Sequence, residues 1–99
     1  MSKYKTPIDR RNQIVEAAIS IAQDGAFEEM TRRTLADHCE ISETLISHYF
    51  GDMSSLRWHA IATGCGRKIP SLIVAGLLRK HPSAMCLSEE EKLTALSDA

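Results

Sequence analysis

The sequence predicts an all-α fold, and three observations carry that expectation. Apolar residues recur at helical spacing. Residues that start helices (Thr31, Ser42, Pro70) and residues that stop them (Gly25, Gly51, His81-Pro82) punctuate the chain at short intervals. Runs with the two-residue alternation of strands are almost absent. Ninety-nine residues allow one domain with a modest core, and 43 % apolar against 25 % charged residues is ordinary globular composition. A core of that size makes oligomerisation a natural source of added stability.

The first helix is expected over residues 8–22, with Ile14, Ala17, Ala18, Ile21 and Ala22 on one side and Arg10, Arg11, Gln13, Glu16 and Gln23 on the other. Asp24-Gly25 ends it, Gly25 tolerating positive φ, and Phe27 in the next loop plugs the core. Thr31 is placed to accept from the free N–H groups of a new turn, opening a short helix over Arg32–Cys39 that buries Leu35, Ala36 and Cys39. Glu40-Ile41-Ser42 forms a turn with Ile41 buried between two helices. Ser42 caps a third helix over residues 42–50, whose apolar face is Leu45, Ile46, Tyr49 and Phe50, and Glu43 suits the positive end of its dipole. After Gly51-Asp52, Ser54 or Ser55 caps a fourth helix with Leu56, Trp58, Ala60 and Ile61, expected to loosen at Gly64-Cys65-Gly66. Pro70 opens a fifth helix carrying Leu72, Ile73, Val74, Leu77 and Leu78, which His81-Pro82 stops. Ser88 caps a short tail helix that begins Glu89-Glu90-Glu91 and carries Leu93 and Leu96.

Charge narrows the function classes. The net charge is −1, which removes any argument for a charge-driven, histone-like binder. Lys3, Lys5, Arg10 and Arg11 against Asp9 give residues 1–11 a local +3, whereas residues 12–60 sum to −5. The longest apolar stretch, residues 69–78, is interrupted by Pro70, Ser71 and Gly76 and falls far below the roughly 20 residues that span a bilayer. The polar start Met1-Ser2-Lys3-Tyr4-Lys5 has no apolar region behind it, so no signal peptide and no membrane association are expected. Cys39, Cys65 and Cys86 are odd in number and widely spaced, which fits a reducing cytoplasm. His38, Cys39, His48, His59 and Cys65 show no zinc-site spacing, and no nucleophile, phosphate-loop or dinucleotide motif argues for an enzyme.

Two short helices joined by a three-residue turn and preceded by a longer helix form the outline of a three-helix helix-turn-helix unit. Such a pair needs a small residue and an apolar turn residue where the helices meet, and Ala36 and Ile41 supply them. The second helix is then exposed on one side and narrow enough for the DNA major groove.

Thr31-Arg32-Arg33-Thr34-Leu35-Ala36, Ile41-Ser42 and His48-Tyr49-Phe50 resemble the DNA-binding domain of the TetR-type repressors. That pattern has a T-x-x-x-I-A start to its second helix, a V-S turn and a Y-x-Y/H-F ending to its recognition helix. An S-K-E-x-L lead into helix four follows, and Asp52-Met53-Ser54-Ser55-Leu56 occupies its place here. The resemblance covers about residues 10–60. It implies that Thr31, Arg33, Ser42, Ser47, His48 and Tyr49 position the protein on phosphates, while Glu43, Thr44 and Leu45 reach base edges. It places Arg32 at a normally apolar position, its stem packed and its guanidinium turned to solvent or phosphate. Lys3, Lys5, Arg10 and Arg11 form either an arm on the DNA backbone or minor groove, or an ordinary solvated terminus.

Three further positions depart from the family. Ser47 stands where a tyrosine is usual, Met53 where a lysine is, and Glu43 where a lysine is common; a carboxylate there is unfavourable unless it accepts from a cytosine N4 amine. The family continues into a helical effector-binding and dimerisation domain longer than the 39 residues that follow position 60 here. The expectation is therefore a flexible basic arm (1–9), a helix-turn-helix DNA-binding domain (10–60) and a short helical dimerisation region and tail (61–99), with no small-molecule effector and no cofactor. Trp58, Ile69, Leu72, Ile73, Leu77 and Leu78 are the candidate dimer surface, serving core and interface together. The functional reading is a homodimeric, sequence-specific double-stranded DNA-binding transcription regulator, a repressor in the first instance, on a palindromic operator. The rival is a helix-turn-helix-derived module that binds another regulator, motivated by the acidic balance of residues 12–60.

Overall fold

Caps and stops divide residues 7–98, which the computed structural model describes, into seven helices with no strand among the described residues. They are α1 (Pro7–Gln23), α2 (Arg32–Cys39), α3 (Glu43–Phe50), α4 (Met53–Gly66), α5 (Pro70–Leu78), α6 (Pro82–Met85) and α7 (Glu89–Asp98). The chain is all-α. Pro7 occupies the first turn of α1, where a missing N–H costs nothing, so the helix takes in the last three residues of the arm expected to end at residue 9. Thr31 and Ser42 cap α2 and α3, and Gly25 and Gly51 take positive φ where the chain turns.

One core runs through α1 to α5, with Ile14, Leu35, Ile46, Leu56, Ile61 and Leu72 fully buried at its centre. The boundary expected at residue 60 falls inside α4, whose Leu56 and Ile61 lie on either side of it in that same core. Phe27 is buried as the plug the sequence suggested. It lies between two guanidinium groups, Arg57 at 6.0 Å and Arg79 at 5.6 Å from the ring centre. Arg57 also donates to the Met30 carbonyl, and Arg79 holds Glu28 through two hydrogen bonds of 2.9 and 2.7 Å, tying the α1–α2 loop to α4 and α5.

The C-terminal half departs from expectation in three places. Asp52, not Ser54 or Ser55, caps α4: its Oδ1 accepts from the Ser55 N–H at 2.7 Å because the extended backbone before the helix ends at Asp52. Helix α4 does not loosen at Gly64-Cys65-Gly66 but continues through it. A Cβ on Gly64 would lie 2.2 Å from Leu72 Cδ1 and 2.5 Å from Leu72 Cβ, so the missing side chain is what lets α5 approach. Helix α5 ends at Leu78, and His81 and Pro82, expected only to stop it, open the extra turn α6, with the Ser83 N–H donating to His81 Nδ1 at 3.0 Å. Helix α7 carries a reciprocal cap, Ser88 N–H to Glu91 Oε1 at 3.0 Å and Glu91 N–H to Ser88 Oγ at 3.1 Å, yet it buries Ala95 and leaves Leu93 and Leu96 exposed.

Candidate nucleic-acid interface

The α2–α3 pair is built from its ends inward. Thr31 Oγ1 accepts from the Thr34 N–H at 3.2 Å, and Thr34 Oγ1 accepts from the Thr31 N–H at 2.9 Å, which satisfies two of the donors a helix start leaves free. Ser42 Oγ accepts from the Leu45 N–H at 3.1 Å. The three-residue turn between the helices puts Glu40 in the left-handed region at φ 59° and Ile41 half-buried against the core. Helix α3 then buries Ile46 and Phe50, and leaves Glu43, Thr44 and His48 exposed in front. Leu45, Ser47 and Tyr49 are half-buried at the edges of that face, and the His48 and Tyr49 rings meet edge-on at 5.1 Å.

Helix α1 fixes the other ends. Gln13 Nε2 donates to the Cys39 carbonyl at 3.0 Å, at the end of α2, and Arg11 Nη1 donates to the Tyr49 carbonyl at 2.9 Å, at the end of α3. The Arg11 guanidinium also lies 4.5 Å from the centre of the Phe50 ring. A cation at a helix C-terminus meets the negative end of the dipole, so the contact is electrostatic as well as geometric. Half-buried Arg11 is thereby a clamp that ties the end of α3 to α1. Arg10 Nη1 donates to Gln13 Oε1 at 3.0 Å, so it too belongs to a helix surface and not to a loose arm. Lys3 and Lys5 lie outside the described residues.

The remaining candidates separate clearly. Thr31, Arg33, Ser42, Glu43, Thr44 and His48 are all exposed on the α2–α3 unit. Arg32 is half-buried with its Nε shielded from solvent and unpaired among the described residues, in keeping with a packed stem. Arg33 makes no hydrogen bond or ion pair among the described residues. The other exposed charged side chains between residues 31 and 52, histidine aside, are the carboxylates Asp37, Glu40, Glu43 and Asp52. Gln13 was not anticipated as an organiser of this unit. Gln13 sits 26 residues from its partner, and nothing local in the sequence announces that bond.

The candidate dimer residues also divide. Leu72 and Ile73 are buried inside the chain's own core, Leu72 against Gly64, and are corrected from interface to core. Ile69 and Leu77 are half-buried, and Trp58 and Leu78 are 47 % and 74 % exposed. The Trp58 ring lies 3.9 Å from the His81 ring, centre to centre, and the Trp58 carbonyl accepts from His81 Nε2 at 3.1 Å.

Elsewhere the chemistry is quiet. Burial pushes the Cys39 thiol up to about 11, against a small lowering by Arg10, and raises Cys65 in the same direction. Both are held as thiols at neutral pH. No three His, Cys, Asp or Glu side chains among the described residues gather as a metal site requires. An open cleft of about 320 Å³ between α1 and α4 is lined by Arg11, Asn12, Glu16, His59 and Arg67, but Arg67 is already bonded to Glu16 and Arg11 to Tyr49. No helix among the described residues is long and apolar enough to cross a membrane. No protein-family model, curated protein sequence or solved structure matches this chain.

Proposed function

We propose that this chain is a sequence-specific double-stranded DNA-binding transcription regulator, a repressor that acts as a homodimer on a palindromic site. One observation carries the reading: α3 is a two-turn helix with its back in the core, its far end clamped by Arg11, and a polar front of Ser42, Glu43, Thr44 and His48 beside the exposed start of α2. A helix held this way offers a rigid edge of hydrogen-bonding groups of the width that the major groove accepts. Thr31 and Arg33 stand beside it as phosphate partners. The exposed Leu78 and Trp58 support association of two copies, which a two-fold operator needs. Few cations face outward on this unit, so the salt slope should be shallow.

The test is binding of the purified chain to a genomic fragment library at two salt concentrations, with unrelated duplex as competitor. Binding that survives competitor, with two chains per site, supports the reading; binding erased equally by competitor and salt contradicts it.

One observation favours a second reading, a module that binds another regulator: the exposed carboxylates Asp37, Glu40, Glu43 and Asp52 lie on the α2–α3 unit or just after it and would meet a basic partner. Charge reversal at Arg33 separates the two. A DNA binder loses affinity across all sequences and about one unit of salt slope. A protein-binding module keeps its partner.

A further inference from the structure

We infer that Glu43 is a specificity residue that selects cytosine, accepting from its N4 amine in the major groove. The inference rests on the DNA-binding reading and gives it a base identity. Glu43 is exposed in the first turn of α3, the turn that reaches furthest toward base edges in a recognition helix. It is not needed as a cap, because the Ser42 hydroxyl already serves the Leu45 N–H. Nothing among the described residues pairs with it, and the positions one turn on, Ile46 and Ser47, hold no cation.

A free carboxylate only accepts. Phosphate oxygens, guanine O6 and N7, and thymine O4 are acceptors as well, and repel it. In the major groove only the amines of cytosine and adenine donate. The adenine amine stands beside N7, an acceptor, which suits an amide that donates and accepts together. The cytosine amine has no acceptor next to it on its own base, so cytosine is the base that a lone carboxylate prefers.

The test is selection of duplexes from a random library by the full 99-residue chain, wild type and E43Q, with circular dichroism confirming that both fold. The selected duplex is then bound with an N4-methyl group on each cytosine in turn, which keeps the base pair and removes the major-groove N–H. Wild type should prefer cytosine about ten-fold at one position, E43Q should lose that preference, and the methyl group there should weaken wild type by a similar factor while leaving E43Q little changed. An unchanged selected sequence in E43Q overturns the inference. So does a uniform gain of affinity on every duplex, which would make Glu43 a plain repulsive charge. Selection of no duplex by either protein overturns the DNA-binding reading and this inference with it.

Discussion

The two halves of the molecule are held together by different physics. In residues 7–50 polar bonds set the helix ends over the shared apolar core: the Thr31–Thr34 box and the Ser42 cap close the starts of α2 and α3, and Gln13 on the Cys39 carbonyl and Arg11 on the Tyr49 carbonyl tie their far ends to α1. From α4 onward they are joined by close approach. Gly64 admits Leu72, and a Cβ on Gly76 would lie 2.7 Å from the Ala84 Cβ and 2.9 Å from Ile61 Cγ2. Directional bonds fix the attitude of α3, whose outer face is polar. Interdigitated apolar contacts give more stability per residue and leave leftover apolar surface, here Leu78, Leu93 and Leu96.

Substitutions sharpen that contrast, beginning with the steric half. Gly64→Ala forces a Cβ to 2.5 Å from the Leu72 Cβ, an atom fixed to its own backbone, so α4 and α5 must separate. Overpacking of this kind costs about 3 kcal/mol, measurable by urea denaturation with loss of amide protection concentrated in α4 and α5. A wild-type denaturation midpoint in this variant would end the close-approach account. In the polar half, Arg11→Met keeps the stem over Phe50 and removes the charged bond to Tyr49, at a cost of about 2 kcal/mol. Hydrogen exchange should then quicken in α3 before α4, and protection lost evenly across both halves would contradict the clamp.

A gain is expected at the turn. Glu40 sits at φ 59° and places a carboxylate at the negative end of α2. Lys68 and Lys80 share that backbone region, at φ 58° and 54°, but bring a favourable charge to α4 and α5. Glu40→Gly should raise stability by about 1 kcal/mol, and Lys68→Gly and Lys80→Gly by less. Equal gains at all three would show that backbone strain alone is at work.

The smallest stability effect belongs to the ion pairs that bridge the halves. Hydrogen bonds from Arg79 hold the Glu28 carboxyl below its ordinary 4.5, with partial burial opposing and the Arg79 charge assisting. A carboxyl lowered in the folded state contributes stability above its unfolded value and loses it as the pH falls through the folded one. Glu28→Gln should therefore cost less than about 1 kcal/mol at neutral pH, the pair being largely exposed, with the difference from wild type vanishing in acid. Thiol chemistry needs no variant: with Cys39 and Cys65 buried and raised, a disulfide reagent at neutral pH should titrate Cys86 alone in the native protein and all three cysteines in denaturant.

Legibility in the sequence follows the range of the forces. The Thr31 and Ser42 caps, the Gly25 and Gly51 turns and the Phe27 plug are decided within a few residues, and they lie where the pattern put them. Asp52 was within reach of the same logic. Asp and Ser are equivalent cap types, however, and only the backbone path into α4 chooses between them. Arg11 looked like solvent-facing charge because its partner is 38 residues away. Gly64 read as a breaker because propensity records the cost of a glycine in a helix and not the neighbour it admits. Ser88, Leu93 and Leu96 announced the helix α7 but not which of its faces packs inward, and that face is the one carrying the small Ala95. Within the candidate site, residue types at the front of α3 were readable, while the bonds that hold it in place were not.

The Trp58–His81 stack gives the molecule its own optical reporter. The chain has a single tryptophan. Because the Ser83 N–H donates to His81 Nδ1, the imidazole proton resides on Nε2 and points at the Trp58 carbonyl, which fixes the ring against the indole. Fluorescence from this one fluorophore therefore registers the seating of α6 on α4. Detachment of the C-terminal helices should change the emission while far-ultraviolet dichroism from α1 to α3 persists, whereas unfolding in one step should move both signals together.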